Sequence, residues 1–324
     1  MAQGKACCEK PARGTNGAEA WLLPDGRLHL QHGPIDLLIE ADGSALDRQR
    51  AYSQATRKFS TVLEQLVEEL VDLRRPLTVN TSPQFAGVVA RRMLQAVAPY
   101  AGQYITPMAC VAGAVADHIL SVLLANTDLN RVHVNNGGDI ALYLAGNEHY
   151  RIGICRNPQD DSAVDEVRVR AGEGIGGVAT SGWRGRSHSL GIADAVTVLA
   201  STAAMADVAA TVIANAVDVP DSVHIKRASA SSLDSDSDLA AHPVTVEVAT
   251  LGKTARKSAI RSAVHVAECL LRDGLIHSAY IQLQGDSAVV DRRSVAYLPG
   301  KSSACFHPLP VPADLPSARP SLCS

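Results

Sequence analysis

Residues 131–144 read RVHVNNGGDIALYL, two apolar segments separated by Asn-Asn-Gly-Gly-Asp. Asn-Gly supplies the positive φ values of a tight two-residue turn, so Arg131–Val134 and Ile140–Leu144 are expected to pair as antiparallel strands. A buried pair of this kind fixes its own register and excludes an all-helical chain. Two readings of the turn stand side by side. It is either a plain hairpin closed by Asp139, or a place where a ligand approaches bare backbone at Gly137 and Gly138. In the second reading Asn135 and Asn136 flank the ligand. Asp139 then bonds a sugar hydroxyl or base edge, or helps hold a cation.

Around the hairpin the hydrophobic period alternates between strand and helix. Trp21–Leu23, Arg27–Gln31 and Ile35–Glu40 surround Pro-Asp-Gly and His-Gly-Pro turns and suggest an antiparallel meander. Arg50–Leu73 reads as one long amphipathic helix, with Val62, Leu66, Leu70 and Leu73 on a stripe. Pro107–Asn126 reads as a second, buried helix. Tyr150–Cys155 and Glu166–Arg170 are expected to continue the sheet. Ala200–Val217 is a third helix, Val244–Val248 a strand, and Thr254–Arg272 a helix stopped by Asp273–Gly274. Ala279–Leu283 ends the pattern as a strand. The class is α+β, long helices packed on mainly antiparallel sheet, and no repeat of 20–50 residues is visible.

One domain is expected over 19–300, between disordered tails at 1–18 and at 301–324, the latter proline-rich. The polar stretch 228–241 is an exposed segment within it. With three Phe, two Trp and seven Tyr, the core must be built from Ala, Val, Leu and Ile. A formal charge of −3 gives no general attraction for nucleic acid. The apolar run Met108–Leu124 carries Asp117 and His118 and is too short and polar for a membrane span. The N-terminus has no hydrophobic signal core, so a soluble, cytoplasmic protein is expected. Among the seven cysteines, Cys110 and Cys269 are expected in the core, while Cys7 and Cys8 sit in a tail. The alanine-rich helices suit a homodimer interface.

Three further stretches are polar within apolar surroundings. Gly174–Ser189, with its hydroxyls, amides, Arg184 and Arg186, has the makings of an anion cradle. His188 has the pKa range of an acid or base. A surface loop would have the same composition. In Ala206–Asn215, Asp207 and Thr211 lie four apart and share a helix face. They are hard oxygen ligands suited to Mg²⁺ or Ca²⁺, or else a cap and a quiet interior hydroxyl. In Cys110–Asp117, Gly113 inside a helix costs about 1 kcal/mol relative to Ala and implies close approach of another helix or a ligand. Asp117 is expected to face solvent and is given no role.

Taken in order, ACVAGAVAD, VNNGGDI, ATSGWRGRSHS and ADVAAT resemble the ApbE-like superfamily, whose best-known members are FAD:protein FMN transferases. The resemblance runs from about Pro107 to Val217. It implies an ApbE-like α+β fold with T-fold-like halves. It implies that Asn135–Asp139 line a nucleotide pocket, that Thr180, Ser181 and Gly182 contact ligand, and that Asp207 and Thr211 hold Mg²⁺ near a pyrophosphate. Ala112 stands where the transferases carry a lysine, and their H-I-I-D-P segment is reduced to His188 through Asp194. The chain looks most like a shorter, uncharacterised branch of the superfamily.

The leading expectation is therefore an enzyme binding a flavin nucleotide such as FAD with Mg²⁺, transferring FMN to an acceptor flavoprotein or cleaving the FAD pyrophosphate. Asp207 and Thr211 would hold the metal, Asp139 the nucleotide, and His188 would assist proton transfer. One alternative is a cofactor-free catabolic enzyme using Arg184 or Arg186 to bind a small carboxylated metabolite, with His188 and Asp194 doing the acid–base work. Another is a flavin-binding protein without turnover.

Overall fold

The computed structural model describes residues 12–13, 17–80, 83–155 and 164–292. Cys7, Cys8 and the expected tail at 301–324 lie outside these residues. In chain order the strands β1 (Ala12–Arg13), β2 (Glu19–Leu22), β3 (Leu28–His32) and β4 (Ile35–Gly43) form the expected meander. β1 lies inside the expected N-terminal tail and pairs with β2. Helices α1 (Ala45–Phe59), α2 (Val62–Glu68), α3 (Leu70–Leu73) and α4 (Val88–Val97) follow.

The long helix expected over 50–73 is thus broken. Ser60 Oγ donates to the Arg57 carbonyl and Thr61 Oγ1 to the Lys58 carbonyl. Side-chain hydroxyls bonded to the last carbonyls offer the backbone an alternative to the next helical turn. A 3₁₀ turn at Pro107–Cys110 leads into α5 (Val111–Leu124). Contrary to the expectation from its length and polar residues, Pro107–Leu124 is long and apolar enough to cross a membrane, but more than half of it is buried inside the fold.

Next come β5 (Leu129–Asn136) and β6 (Asp139–Leu144), the hairpin read from the sequence, with Asn136 opposite Asp139. β7 (His149–Cys155) and β8 (Val164–Arg170) pair only with each other. They do not continue the main sheet. Tyr150, Ile152, Val167 and Val169 instead pack over Ile140, Leu142, Val178 and Leu199. An exposed apolar patch on one sheet face is buried by folding a hairpin across it.

β9 (Gly177–Ser181) and β10 (Ala195–Ala200) precede α6 (Ala203–Ala216). β11 (Ile225–Ser229), α7 (Ala230–Leu233) and β12 (Pro243–Val248) make a small separate two-stranded unit. α8 (Lys253–Arg272) ends at Gly274, whose φ of 72° is the left-handed stop expected there. β13 (Ser278–Leu283) and a further strand β14 (Asp286–Asp291) close the chain.

The main sheet has ten strands in the order β1-β2-β3-β4-β5-β6-β9-β10-β13-β14, with every neighbouring pair antiparallel. It contains two four-stranded runs, β3-β4-β5-β6 and β9-β10-β13-β14. In each, the helices are inserted between the second and third strands. The runs meet where Ile140 pairs with Val178 and Ala141 with Gly177. The core on the helix side is made mostly of Ala, Val, Leu and Ile, with Phe59 and Met93 among its fully buried side chains. Cys110 and Cys269 are buried free thiols.

Candidate functional site

The motifs converge where the two runs of strands meet. The hairpin turn is built as its sequence suggests: Gly137 and Gly138 have φ of 65° and 115°, and Gly138 N–H donates to Asn135 Oδ1. Asn135, not Asp139, secures the turn. Asn136 is buried and donates from Nδ2 to the Ala112 carbonyl, 3.0 Å away, which ties the turn to the start of α5. Asp139 is thereby free to point across to β9, where its Oδ1 accepts the Thr180 N–H at 3.3 Å. Thr180 Oγ1 shares a hydrogen bond of 2.8 Å with Thr197 Oγ1 on the next strand.

Asp207 enters from α6. Its Oδ2 accepts the Gly113 N–H at 3.0 Å, one of the unpaired amides of the α5 N-terminus. Gly113 has to be glycine because a Cβ there would lie 2.4 Å from the Ala203 carbonyl oxygen. The close approach inferred for it is thus to another helix. Asp117 is buried rather than solvent-facing. Its two oxygens accept the Ala203 and Ala204 N–H groups at 2.9 Å each, satisfying the first turn of α6. Each helix therefore caps the other. The sequence carried a signal of this, because Gly-Ala-Val-Ala-Asp (113–117) and Ala-Ala-Met-Ala-Asp (203–207) share a pattern.

The electrostatics of the convergence are dominated by uncompensated carboxylates. Burial pushes Asp139 up from 3.8 to about 7, against the Thr180 N–H bond, which lowers it. Burial pushes Asp207 well above its ordinary value, and the charges of Asp139 and Asp117 add to the rise, while the Gly113 N–H opposes it. The Cys110 thiol, buried beside the same carboxylates, is also pushed up. No basic side chain bonds Asp139 or Asp207 among the described residues. Thr211 follows Asp207 by one helical turn and is partly exposed.

The loop after β9 is arranged differently from a simple cradle. Ser181 pairs with Val196, and Gly182 packs so closely on the Asp194 carbonyl that a Cβ would lie 2.6 Å from it. Arg184 stacks on Trp183 and donates to Asp194 Oδ1 at 3.0 Å, while Asp194 Oδ2 accepts the Gln284 N–H. Both Asp194 oxygens are thus engaged, and no hydrogen bond joins it to His188 among the described residues. His188 lies exposed on the loop. Arg186 reaches back over the hairpin, its Nη2 2.7 Å from where a Gly137 Cβ would stand. Asn215 at the end of α6 anchors the loop by accepting from Ser189 Oγ and the Leu190 N–H.

Of the residues read from the sequence, Asn136, Gly137, Asp139, Thr180, Asp207 and Arg186 come together around the hairpin turn and the α5 N-terminus. Hollows of about 590 Å³ beside α1 and about 360 Å³ beside β14 are lined by none of the motif residues. No group of three or more His, Cys, Asp or Glu suited to a metal occurs among the described residues. Any cation here would draw on the two aspartates and on neutral oxygens.

Comparison with known proteins places the chain in a family. A family model described as "AbpE bacteria" matches residues 20–289. A UPF0280 protein of Methanothermobacter thermautotrophicus is 32% identical over 155 residues, 48% of this chain and 57% of the relative. A UPF0280 protein of Methanopyrus kandleri is 34% identical over 185 residues, 56% of this chain and 69% of the relative. Among solved structures, a variant of the flavin transferase ApbE from Vibrio cholerae aligns over 82% of this chain and 96% of that one. Its TM-score is 0.43 at 12% identity. The ApbE protein of Thermotoga maritima aligns with a TM-score of 0.39 at 14% identity, over 82% and 96% of the two chains. With residues 20–289 matched by its model, the chain belongs to the ApbE-like family, in the group described as AbpE bacteria, with the UPF0280 proteins as relatives.

Proposed function

We propose that the chain binds a flavin nucleotide together with a divalent cation at the meeting point of β6, β9, α5 and α6, and cleaves its pyrophosphate or transfers the FMN half. The observation that carries this reading is the pair Asp139 and Asp207. Both carboxyls are pushed above their ordinary range, and no cationic side chain bonds either one. Two such groups left uncompensated are costly, and a Mg²⁺ ion is the counter-charge that hard oxygen donors accept.

The residues fit that ion. Asp207 Oδ1, the oxygen not bonded to Gly113, and Asp139 Oδ2, the oxygen not bonded to Thr180, are the donors left over. Thr211 adds a hydroxyl on the same helix face as Asp207. When bound, Mg²⁺ would supply charge neutralisation for a pyrophosphate and its leaving group. The chain's own residues do the rest. The Gly137–Gly138 backbone lets the nucleotide lie against the turn, and the Arg186 guanidinium beside it offers a planar fork to a phosphate. The Thr180 N–H fixes the Asp139 carboxylate so that its other oxygen faces the ion, and the proton of an attacking hydroxyl passes to solvent. That hydroxyl is a serine or threonine of an acceptor protein for transfer, or water for cleavage.

The cofactor-free reading is less well supported, because Arg184 is already paired with Asp194 and His188 stands apart from it. The test is to incubate the pure protein with FAD and MgCl₂, with and without a flavoprotein acceptor, and to measure AMP by chromatography. Release of AMP that requires Mg²⁺ and is lost in Asp207→Asn is expected. No AMP under either condition, together with no Mg²⁺-dependent FAD binding, would overturn the proposal.

A further inference from the structure

Further along α5 from the Gly113 amide that Asp207 accepts, a second group of polar side chains has no explained purpose. His118 is 5% exposed, and neither its Nδ1 nor its Nε2 has a hydrogen-bond partner. Buried imidazoles are nearly always bonded, so an orphan with both nitrogens unpaired calls for a missing partner. Arg92 on α4 is in the same position at its Nε, and its Nη2 reaches only Ser121 Oγ, at 3.3 Å. Ser121 lies on α5 almost one turn beyond His118 and donates to the His118 carbonyl at 2.6 Å.

The third member is Lys58, near the end of α1. Lys58 and Arg92 are close enough to His118 for their charges to lower its basicity, and burial takes it down further, to about 4. No carboxylate bonds Lys58 or Arg92 among the described residues. Asp117 feels the Arg92 charge, but both of its oxygens are held by the Ala203 and Ala204 N–H groups. On the α1 side the neighbouring Gln54 is likewise engaged, its Nε2 donating to carbonyls at the end of α5. What remains is an excess of donors and positive charge over a buried floor, with Lys58 and Arg92 partly open to solvent.

We propose that Lys58, Arg92 and His118 form a binding site for a phosphate group, with Ser121 at its rim. A tetrahedral oxyanion accepts from the guanidinium edge, the ammonium and the imidazole together, which a carbonyl or a water cannot do. Binding also supplies the partner that His118 and the Arg92 Nε lack. The site is separate from the carboxylate pair and does not rest on the flavin reading.

The experiment follows the His118 Hε1 resonance by NMR while inorganic phosphate, or in a second series glycerol phosphate, is added at constant ionic strength against chloride. The resonance is expected to shift in a saturable way, and the His118 pKa to rise, because a bound anion favours the imidazolium. The better binder of the two tells whether free phosphate or a phosphomonoester is preferred. Lys58→Met and Arg92→Met are each expected to weaken binding by about tenfold, the loss of one charge-assisted bond. Asp207→Asn is expected to leave it intact, which keeps this site distinct from the proposed nucleotide cleft. A phosphate-dependent rise in melting temperature, absent in the same two variants, is the second readout. No saturable shift with either compound, or an equal shift in the Lys58 and Arg92 variants, would overturn the proposal.

Discussion

Asp117 and Asp207 stand in a reciprocal relation: each lies four residues after the amide that the other's carboxylate accepts. Gly113 N–H donates to Asp207, and Ala203 N–H donates to Asp117. The two bonds lock the first turns of α5 and α6 against each other. They also orient the one carboxylate with an oxygen to spare, since Asp117 uses both of its own and Asp207 only one.

Replacing Asp117 by Ala should therefore damage stability more than an ordinary cap does. Two buried amides lose their partner at once, and removing a cap alone costs about 1 kcal/mol, so a loss of roughly 2–4 kcal/mol is expected. Urea unfolding followed by circular dichroism measures it. A loss as small as that of an exposed substitution would contradict the cap.

Gly113→Ala tests the closeness of the same two helices. Its methyl would sit 2.4 Å from the Ala203 carbonyl oxygen, so backbone must move. Overpacking typically costs about 1–3 kcal/mol, and a clash with backbone belongs at the upper end, above the roughly 1 kcal/mol of helix propensity that alanine returns. Net destabilisation in thermal melts is expected, and a more stable variant would show that the helices are not in contact.

Asp139 predicts a pH dependence with a definite sign. Folded, its carboxyl is raised from 3.8 to about 7, so between those values the native state holds a proton that the unfolded chain has lost. Its contribution to stability is complete below the lower value and is lost as pH rises through the higher one. His118 opposes this. Its folded pKa falls from 6.5 to about 4, so its contribution is lost as pH drops through that window. Asp139→Asn isolates the first effect: the variant should gain on the wild type progressively as pH rises from 4 to 7. Denaturant titrations across that range, with the two curves staying parallel, would rule it out.

Asp207→Asn probes the cation. The amide oxygen can still accept from Gly113, so the fold should hold, while Mg²⁺ affinity by calorimetry should fall by about tenfold or more with the loss of a charged ligand. Unchanged affinity would exclude Asp207 as a ligand.

How far the sequence foretold this arrangement depends on the range of the interactions. The Asn135–Asp139 turn was legible because hairpin chemistry is local, and Gly137 and Gly138 adopt the conformations their type permits. Asp207 and Thr211 stood out because one helix turn brings them to one face. Asp117 did not, since nothing within its own helix shows that the amides of Ala203 and Ala204 lie beside it. β9 was hidden in a glycine- and hydroxyl-rich stretch whose strand character comes from its neighbours: Thr180 is aligned by Thr197 and Asp139, each far off in sequence. The β7–β8 hairpin alternates like any strand pair. Which surface it joins was decided by the apolar patch around Leu142, Val178 and Leu199.

The two four-stranded runs are joined edge to edge through few registered pairs, Ile140 with Val178 and Ala141 with Gly177. Asp139 belongs to one run and Thr180 to the other, while Asp207 rides on the helix that follows β10. A molecule gripping all three would act as a clasp across a seam, so occupancy would be sensed by the architecture as a whole as well as by the groups that touch it. The seam, stitched by only two registered pairs, is also where the fold has gathered its unspent charge.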